Sequence, residues 1–196
     1  LQQIGSLFVS FDLSVIPNKN ILLAVTGGIA AYKSAILVRR LKDAGFDVRV
    51  VMTEGAQAFI TPLTFQALSG NPVHTALLDP EAEAGMGHIE LARWADLLLV
   101  APASCDTLAK FAAGLADDLL STLYLATKAP VWFAPAMNQQ MWAAKATQRN
   151  LNTLIEDGVH VIMPDAGSQA CGDVGLGRMP EPEDLARQVT EYFHRA

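Results

Sequence analysis

Short runs of apolar residues alternate along this chain with longer stretches in which apolar positions recur every three to four residues. Ile21–Thr26 (ILLAVT) is apolar almost throughout and predicts a first buried strand. Gly27-Gly28 follows at once. Ile29–Ala44 then carries Ile36, Leu37 and Leu41 at helical spacing and is closed by Gly45. Phe46–Met52 (FDVRVVM) predicts the second strand. Thr61-Pro62 has the form of a helix start, with the helix running to Leu68, and a short strand is expected around Val73. A brief amphipathic helix leads to Asp96, and Leu97–Ala101 (LLLVA) predicts a strand covered on both faces, stopped by Pro102. Ser104–Gly114 and Asp117–Thr127 predict two consecutive helices, and Val131–Ala134 a strand ended by Pro135. One helix is expected over Asn138–Asp157, a last strand over Val159–Met163 and a closing helix over Glu181–Arg195. The glycine-rich stretch 165–179 shows no period and is expected to be an irregular loop that serves as a flap.

Strands and helices in this alternation predict an α/β fold, a parallel sheet with helices on both faces. Residues 1–20 are expected to be an N-terminal extension and 21–196 a single domain. Ligands in such sheets bind outside the carboxyl ends of the strands. That rule singles out Gly27-Gly28 and the loop PASCDT at 102–107. The opening lacks GxGxxG, so the dinucleotide fingerprint is absent. The glycine pair permits close backbone approach to a phosphate at the helix start, and a plain tight turn explains it equally well. The hydroxyl of Thr53 either caps the next helix or meets a phosphate, capping being the commoner use.

The formal charge of −6, from 14 basic and 20 acidic residues, argues against a broad nucleic-acid surface. An anionic small ligand stays open, because backbone amides hold one without net positive charge. No apolar run reaches membrane-spanning length, and the first 20 residues lack the pattern of a signal peptide. The two cysteines, Cys105 and Cys171, show no paired metal spacing, and no histidine cluster accompanies them. Neither metal nor disulfide is expected, and reduced thiols suit the cytoplasm. The first residue is Leu, which suggests a trimmed or partial chain.

Five stretches in order carry a resemblance: TGGIAAYK at 26–33, Gly87-His88-Ile89, PASCDT at 102–107, PAMNQQMW at 135–142 and ACGDVGLGRM at 170–179. Together they resemble the homo-oligomeric flavin-containing cysteine decarboxylases, and most of all the branch that acts on 4′-phospho-N-pantothenoylcysteine in coenzyme A synthesis. The resemblance implies a Rossmann-like, flavodoxin-type fold, a parallel sheet with helices on both faces, together with bound FMN, homotrimers or larger assemblies of trimers, and an active site at a subunit interface. It implies oxidation of the substrate cysteine towards a thioaldehyde, loss of CO₂ to give an enethiolate, and return of the hydride to give 4′-phosphopantetheine. A carboxylate leaves as CO₂ only if its electron pair has a sink, which this chemistry makes.

In that scheme His88 is the base that assists substrate oxidation. Asn138 holds the substrate carboxylate, although an asparagine there is also an ordinary helix N-cap. Cys171 donates the last proton. The cofactor contacts carried over are Gly28, Ile29, Thr53, Ser104, Asp106 and Thr107. The family more commonly reads PASANT, so Cys105 and Asp106 are departures, and Asp106 brings a negative charge near a phosphate. Three relatives offer rival readings: a lantibiotic-type peptidyl-cysteine decarboxylase, a flavin prenyltransferase and a non-catalytic flavoprotein that regulates a phosphatase. Cys171 weighs against the first, because peptidyl-cysteine decarboxylases stop at the enethiol. The pairing of His88 with PAMN weighs against the second, and the intact set His88, Asn138 and Cys171 against the third. In the bifunctional relatives a synthetase domain follows the decarboxylase part.

Overall fold

The computed structural model describes residues 19–77 and 87–195, so most of the expected extension and the loop around Pro80–Ala84 lie outside the described residues. Its centre is a parallel sheet of six strands: β1 (Asn20–Val25), β2 (Asp47–Met52), β3 (Val73–His74), β4 (Leu97–Ala103), β5 (Val131–Pro135) and β6 (His160–Val161). The spatial order is β3-β2-β1-β4-β5-β6, every pairing parallel. That is the doubly wound Rossmann order, and without the two-residue edge strand β3 it is the flavodoxin order. In either case the direction of winding reverses between β1 and β4, and a crevice opens there at their carboxyl ends.

Side chains alternate across the sheet and divide the core in two. Ile21, Leu23 and Val25 of β1, with Leu97, Leu99 and Ala101 of β4, face α1 (Ala31–Asp43), α3 (Pro62–Ser69) and α9 (Pro182–Arg195). Leu22, Ala24, Leu98 and Val100 face the other way. They meet α4 (His88–Trp94), α5 (Cys105–Ala112), α6 (Leu119–Ala126) and α8 (Lys145–Glu156). Residues 21–25 and 97–101 are all 0% exposed, which explains why both strands read as unbroken apolar runs rather than as alternation.

The mouth of the crevice is stitched by short polar side chains. Thr26 Oγ1 donates to the carbonyl of Pro102 at 2.7 Å and accepts from the Ser104 N–H at 2.9 Å. Ser34 of α1 donates to the carbonyl of Ala101 at 2.6 Å. These bonds fix the loop after β1 against the loop after β4. The short helix α2 (Glu54–Gln57) follows β2, and Thr53 is its N-cap.

Two expectations are corrected. The helix expected over Asn138–Asp157 is two helices, α7 (Gln139–Ala143) and α8, broken at Ala144 with φ −61° and ψ 133°. Neither Gly nor Pro marks the break. Trp142 is buried at 5% exposure, and the Gln148 side chain donates to its carbonyl at 2.6 Å, so packing and a side-chain cap turn the chain. The stretch 165–179 is not irregular. It forms an antiparallel hairpin of β7 (Asp165–Ser168) and β8 (Val174–Arg178). The hairpin lies against the segment after β5, where Met137 N–H donates to the Gly177 carbonyl at 2.9 Å. A Cβ at Gly177 would overlap the Met137 carbonyl, and one at Gly175 the side chain of Gln139. The glycines that hide the strand signal are what allow backbone to lie on backbone.

Candidate functional site

A cavity of about 470 Å³ opens at the crevice, within the usual range of small-molecule sites. Four segments of chain wall it. The turn after β1 supplies Gly28 and Ile29, and the loop after β4 supplies Ser104 and Cys105. The segment after β5 supplies Asn138 and Met141, and the β7–β8 hairpin supplies Gln169 and Cys171.

Each wall has a local cause. Gly27 lies so close to Gly55 that a Cβ on it would meet that backbone at 3.1–3.3 Å, whereas a Cβ on Gly28 would meet nothing within 4 Å. One glycine of the pair therefore serves chain packing and the other leaves space at the mouth. Ile29 stands 60% exposed and Met141 47%, an apolar rim of the kind that receives a flat ring. Ser104 caps α5: its Oγ accepts from the Thr107 N–H at 3.2 Å and lies 3.0 Å from Thr107 Oγ1. Two hydroxyls thus meet at the start of a helix, where the backbone dipole favours an anion.

A polar cluster lies between the segment after β5 and the hairpin. Asn138 caps α7: its Oδ1 accepts from the Gln140 N–H at 2.8 Å. Its Nδ2 points across to the hairpin, 3.4 Å from Cys171 Sγ and 2.8 Å from Asp173 Oδ2. Gln169 ties the two segments together. Its Oε1 accepts from the Gln139 N–H at 3.0 Å, and its Nε2 donates to the carbonyls of Met137 and Leu176 at 3.2 and 3.3 Å. At the foot of the hairpin Lys33 donates to the Met179 carbonyl and to Glu181, both at 2.8 Å.

Of the residues singled out from the sequence, Gly28, Ile29, Ser104, Asn138 and Cys171 line this one cavity. Thr107 is buried behind Ser104. Thr53 is engaged as a helix cap, and Asp106 is exposed on the first turn of α5; neither is among the lining residues. His88 opens α4 and also stands outside the lining set. The far end of α4 is fixed beside the amino end of β1, where Asn20 donates to the Trp94 carbonyl at 2.9 Å. His88 lies six residues, about 9 Å of helix, from that fixed end. Lys33, Gln169 and Asp173 were not singled out. For Lys33 a signal existed: it shares the α1 stripe of Leu37 and Leu41 and is buried at 5% exposure, a charge on an apolar face.

A family model described as Flavoprotein matches residues 13–194. The chain belongs to the Flavoprotein family. It is 58% identical over 181 residues to the coenzyme A biosynthesis bifunctional protein CoaBC of Vibrio vulnificus strain YJ016, a match that covers 92% of this chain and 45% of that protein. The chain thus spans a little under half the length of this curated relative. Among solved structures, a PPC decarboxylase variant complexed with pantothenoylaminoethenethiol superposes with a TM-score of 0.80 at 34% identity, covering 90% of this chain and 99% of that one. The FMN binding protein AtHal3 superposes with a TM-score of 0.78, also at 34% identity, covering 91% and 98%.

Proposed function

We propose that this chain performs the FMN-dependent decarboxylation of 4′-phospho-N-pantothenoylcysteine to 4′-phosphopantetheine, a step of coenzyme A synthesis. The observation that carries the reading is the approach of Asn138 Nδ2 to within 3.4 Å of Cys171 Sγ on the wall of the crevice cavity. A carboxylate-binding amide and a proton-donating thiol then face one substrate cysteine. The likeness to bifunctional coenzyme A proteins and to PPC decarboxylase supports the same reading.

The cavity suits a flavin mononucleotide. Gly28 leaves room at the turn, Ser104 with Thr107 behind it presents hydroxyls at a helix start, and Ile29 and Met141 supply an apolar rim. Bound there, the flavin supplies a reversible two-electron sink for the substrate's thiol-bearing carbon. Asn138 holds the departing carboxylate through a neutral amide, so the anion is oriented without being over-stabilised before it leaves. Cys171 gives its proton to the enethiolate, and the hairpin keeps water from that anion. His88 takes the proton from the substrate during oxidation. It lies outside the cavity lining of its own chain, so in this reading it reaches the cavity of a neighbouring copy in a homotrimer or an assembly of trimers. The compartment is the cytoplasm.

The test is incubation of the flavin-loaded protein with 4′-phospho-N-pantothenoylcysteine, following CO₂ and 4′-phosphopantetheine. Stoichiometric release of both is expected. A flavin-loaded protein that leaves this substrate intact would end the reading.

A further inference from the structure

The contact between Asn138 and Asp173 bears on how substrate enters, and it rests on the reading just given, in which Asn138 receives the substrate carboxylate. The orientation of the Asn138 amide follows from its partners. Oδ1 accepts from a backbone N–H, that of Gln140 at 2.8 Å, so the other end is the NH₂ group. Both of its protons have acceptors: Asp173 Oδ2 at 2.8 Å and Cys171 Sγ at 3.4 Å. A carboxylate of the chain itself therefore occupies the amide that the substrate carboxylate needs.

We infer that Asp173 is a resident stand-in for the substrate carboxylate and sets how tightly carboxylate-bearing ligands bind. Two anions cannot share the seat: a second carboxylate on the same NH₂ group would lie close to Asp173 and repel it. Substrate binding therefore displaces the Asp173 side chain, and the strength of the resident contact is subtracted from substrate affinity. Asp173 also belongs to the same tight turn as Cys171. Its carbonyl accepts from the Gln169 N–H at 2.8 Å, and the Gly172 N–H donates to the Gln169 carbonyl at 2.9 Å, with Gly172 at φ +91°. The Asp173 side chain is exposed and its main-chain bond closes the turn, so the carboxylate swings away without opening the hairpin. Its departure also leaves the substrate carboxylate, in place of Asp173, beside the thiol. Asp173 is thus a positioning and specificity residue that acts through its contact with Asn138.

Two ligands separate this effect from general damage. 4′-Phospho-N-pantothenoylserine keeps the carboxylate but replaces the thiol by a hydroxyl, and 4′-phosphopantetheine lacks the carboxylate. Their affinities are measured by calorimetry on flavin-loaded wild type, Asp173→Ala and Asp173→Asn. Asp173→Ala is expected to bind the serine analogue about fivefold tighter. Asp173→Asn, whose carbonyl still competes but carries no charge, is expected to gain less. Affinity for 4′-phosphopantetheine should stay within about twofold of wild type in both variants. Unchanged or weaker binding of the serine analogue, or an equal change for both ligands, would overturn the inference. If wild type binds neither ligand, the functional reading itself fails, and this inference with it.

Discussion

The ammonium of Lys33, buried on the inner face of α1, lies 2.8 Å from the main-chain carbonyl of Met179 at the foot of the hairpin. The same nitrogen meets Glu181 at 2.8 Å, and Arg178 meets that carboxylate at 3.4 Å. The first turn of α1 and the end of the hairpin are therefore one unit, although 146 residues separate the two partners. Lys33→Met should leave the Met179 carbonyl without its donor, at a cost of about 1–3 kcal/mol. Chemical denaturation would read that loss, and limited proteolysis should cut earlier within 165–179. Glu181→Gln should cost less than about 1 kcal/mol, since half of that carboxylate is exposed and solvent takes the place of the pair.

Gly177 has φ +136° and its carbonyl accepts from Met137. Any side chain there is strained and collides with the Met137 carbonyl. Gly177→Ala should undock the hairpin while the sheet stays folded. The expected result is retained flavin absorbance and thermal unfolding within a few degrees of wild type, with decarboxylation lowered at least about a hundredfold. Normal turnover would show that docking of the hairpin is dispensable.

Because His88 stands outside the lining of its own chain's cavity, His88→Asn and Cys171→Ser should complement each other. Each variant alone is expected to yield no 4′-phosphopantetheine. Dissociated, mixed and reassembled, they should regain part of the wild-type activity, because some sites then draw an intact His88 from one copy and an intact Cys171 from another. Absence of recovery, with mixed assembly confirmed by native mass spectrometry, would place both groups in one chain. His88→Asn should retain its flavin, and loss of flavin would make His88 structural.

Cys171→Ser should still release CO₂ but accumulate an enethiol, seen as a new ultraviolet-absorbing product, because a hydroxyl is a far weaker acid than a thiol. Undiminished 4′-phosphopantetheine from this variant would remove Cys171 from the proton transfer.

Asp118 caps α6 and is paired with Lys110 at 2.8 Å. Burial alone would raise its carboxyl pKa, but the hydrogen bonds from Lys110 and Ser121 outweigh it and hold the carboxyl below the usual carboxylate value. A carboxyl lowered by folding stabilises the chain above its unfolded pKa, about 4, and that contribution is lost as pH falls through the lower folded value. Asp118→Asn should therefore be less stable than wild type at neutral pH, by less than about 1 kcal/mol, because asparagine caps a helix about as well but loses the charge that Lys110 and Ser121 bond to, and solvent screens part of that at a side chain 37% exposed. The gap should shrink as pH falls from about 4 through the lower folded value. A gap that persists in acid would show that the charge is not its source.

Much of the fold was legible because its signals are local. Ile21–Val25 and Leu97–Ala101 are buried on both faces, and a strand in that setting has no polar positions. Gly27-Gly28 and Ser104 were legible as ends of elements, and end-of-strand loops are where an α/β sheet binds. The break at Ala144 was not legible, since the burial of Trp142 and the reach of Gln148 produce it. The hairpin at 165–179 was hidden because Gly175 and Gly177 replace the inward side chains, leaving only Val174 and Leu176, which point to solvent at 70% and 47% exposure.

By itself the sequence determined the α/β order, the positions of the strand ends, and which residue types stand there. Periodicity and turn chemistry act over a few residues, and a linear chain records them directly. Only the tertiary structure decided that Asn138, Cys171 and Asp173 form one cluster, that Gln169 and Lys33 hold the hairpin over the crevice, and that His88 is not among the residues lining the cavity. Those relationships depend on hydrogen bonds between segments up to 146 residues apart, and their geometry exists only once the sheet has set the distance between its loops.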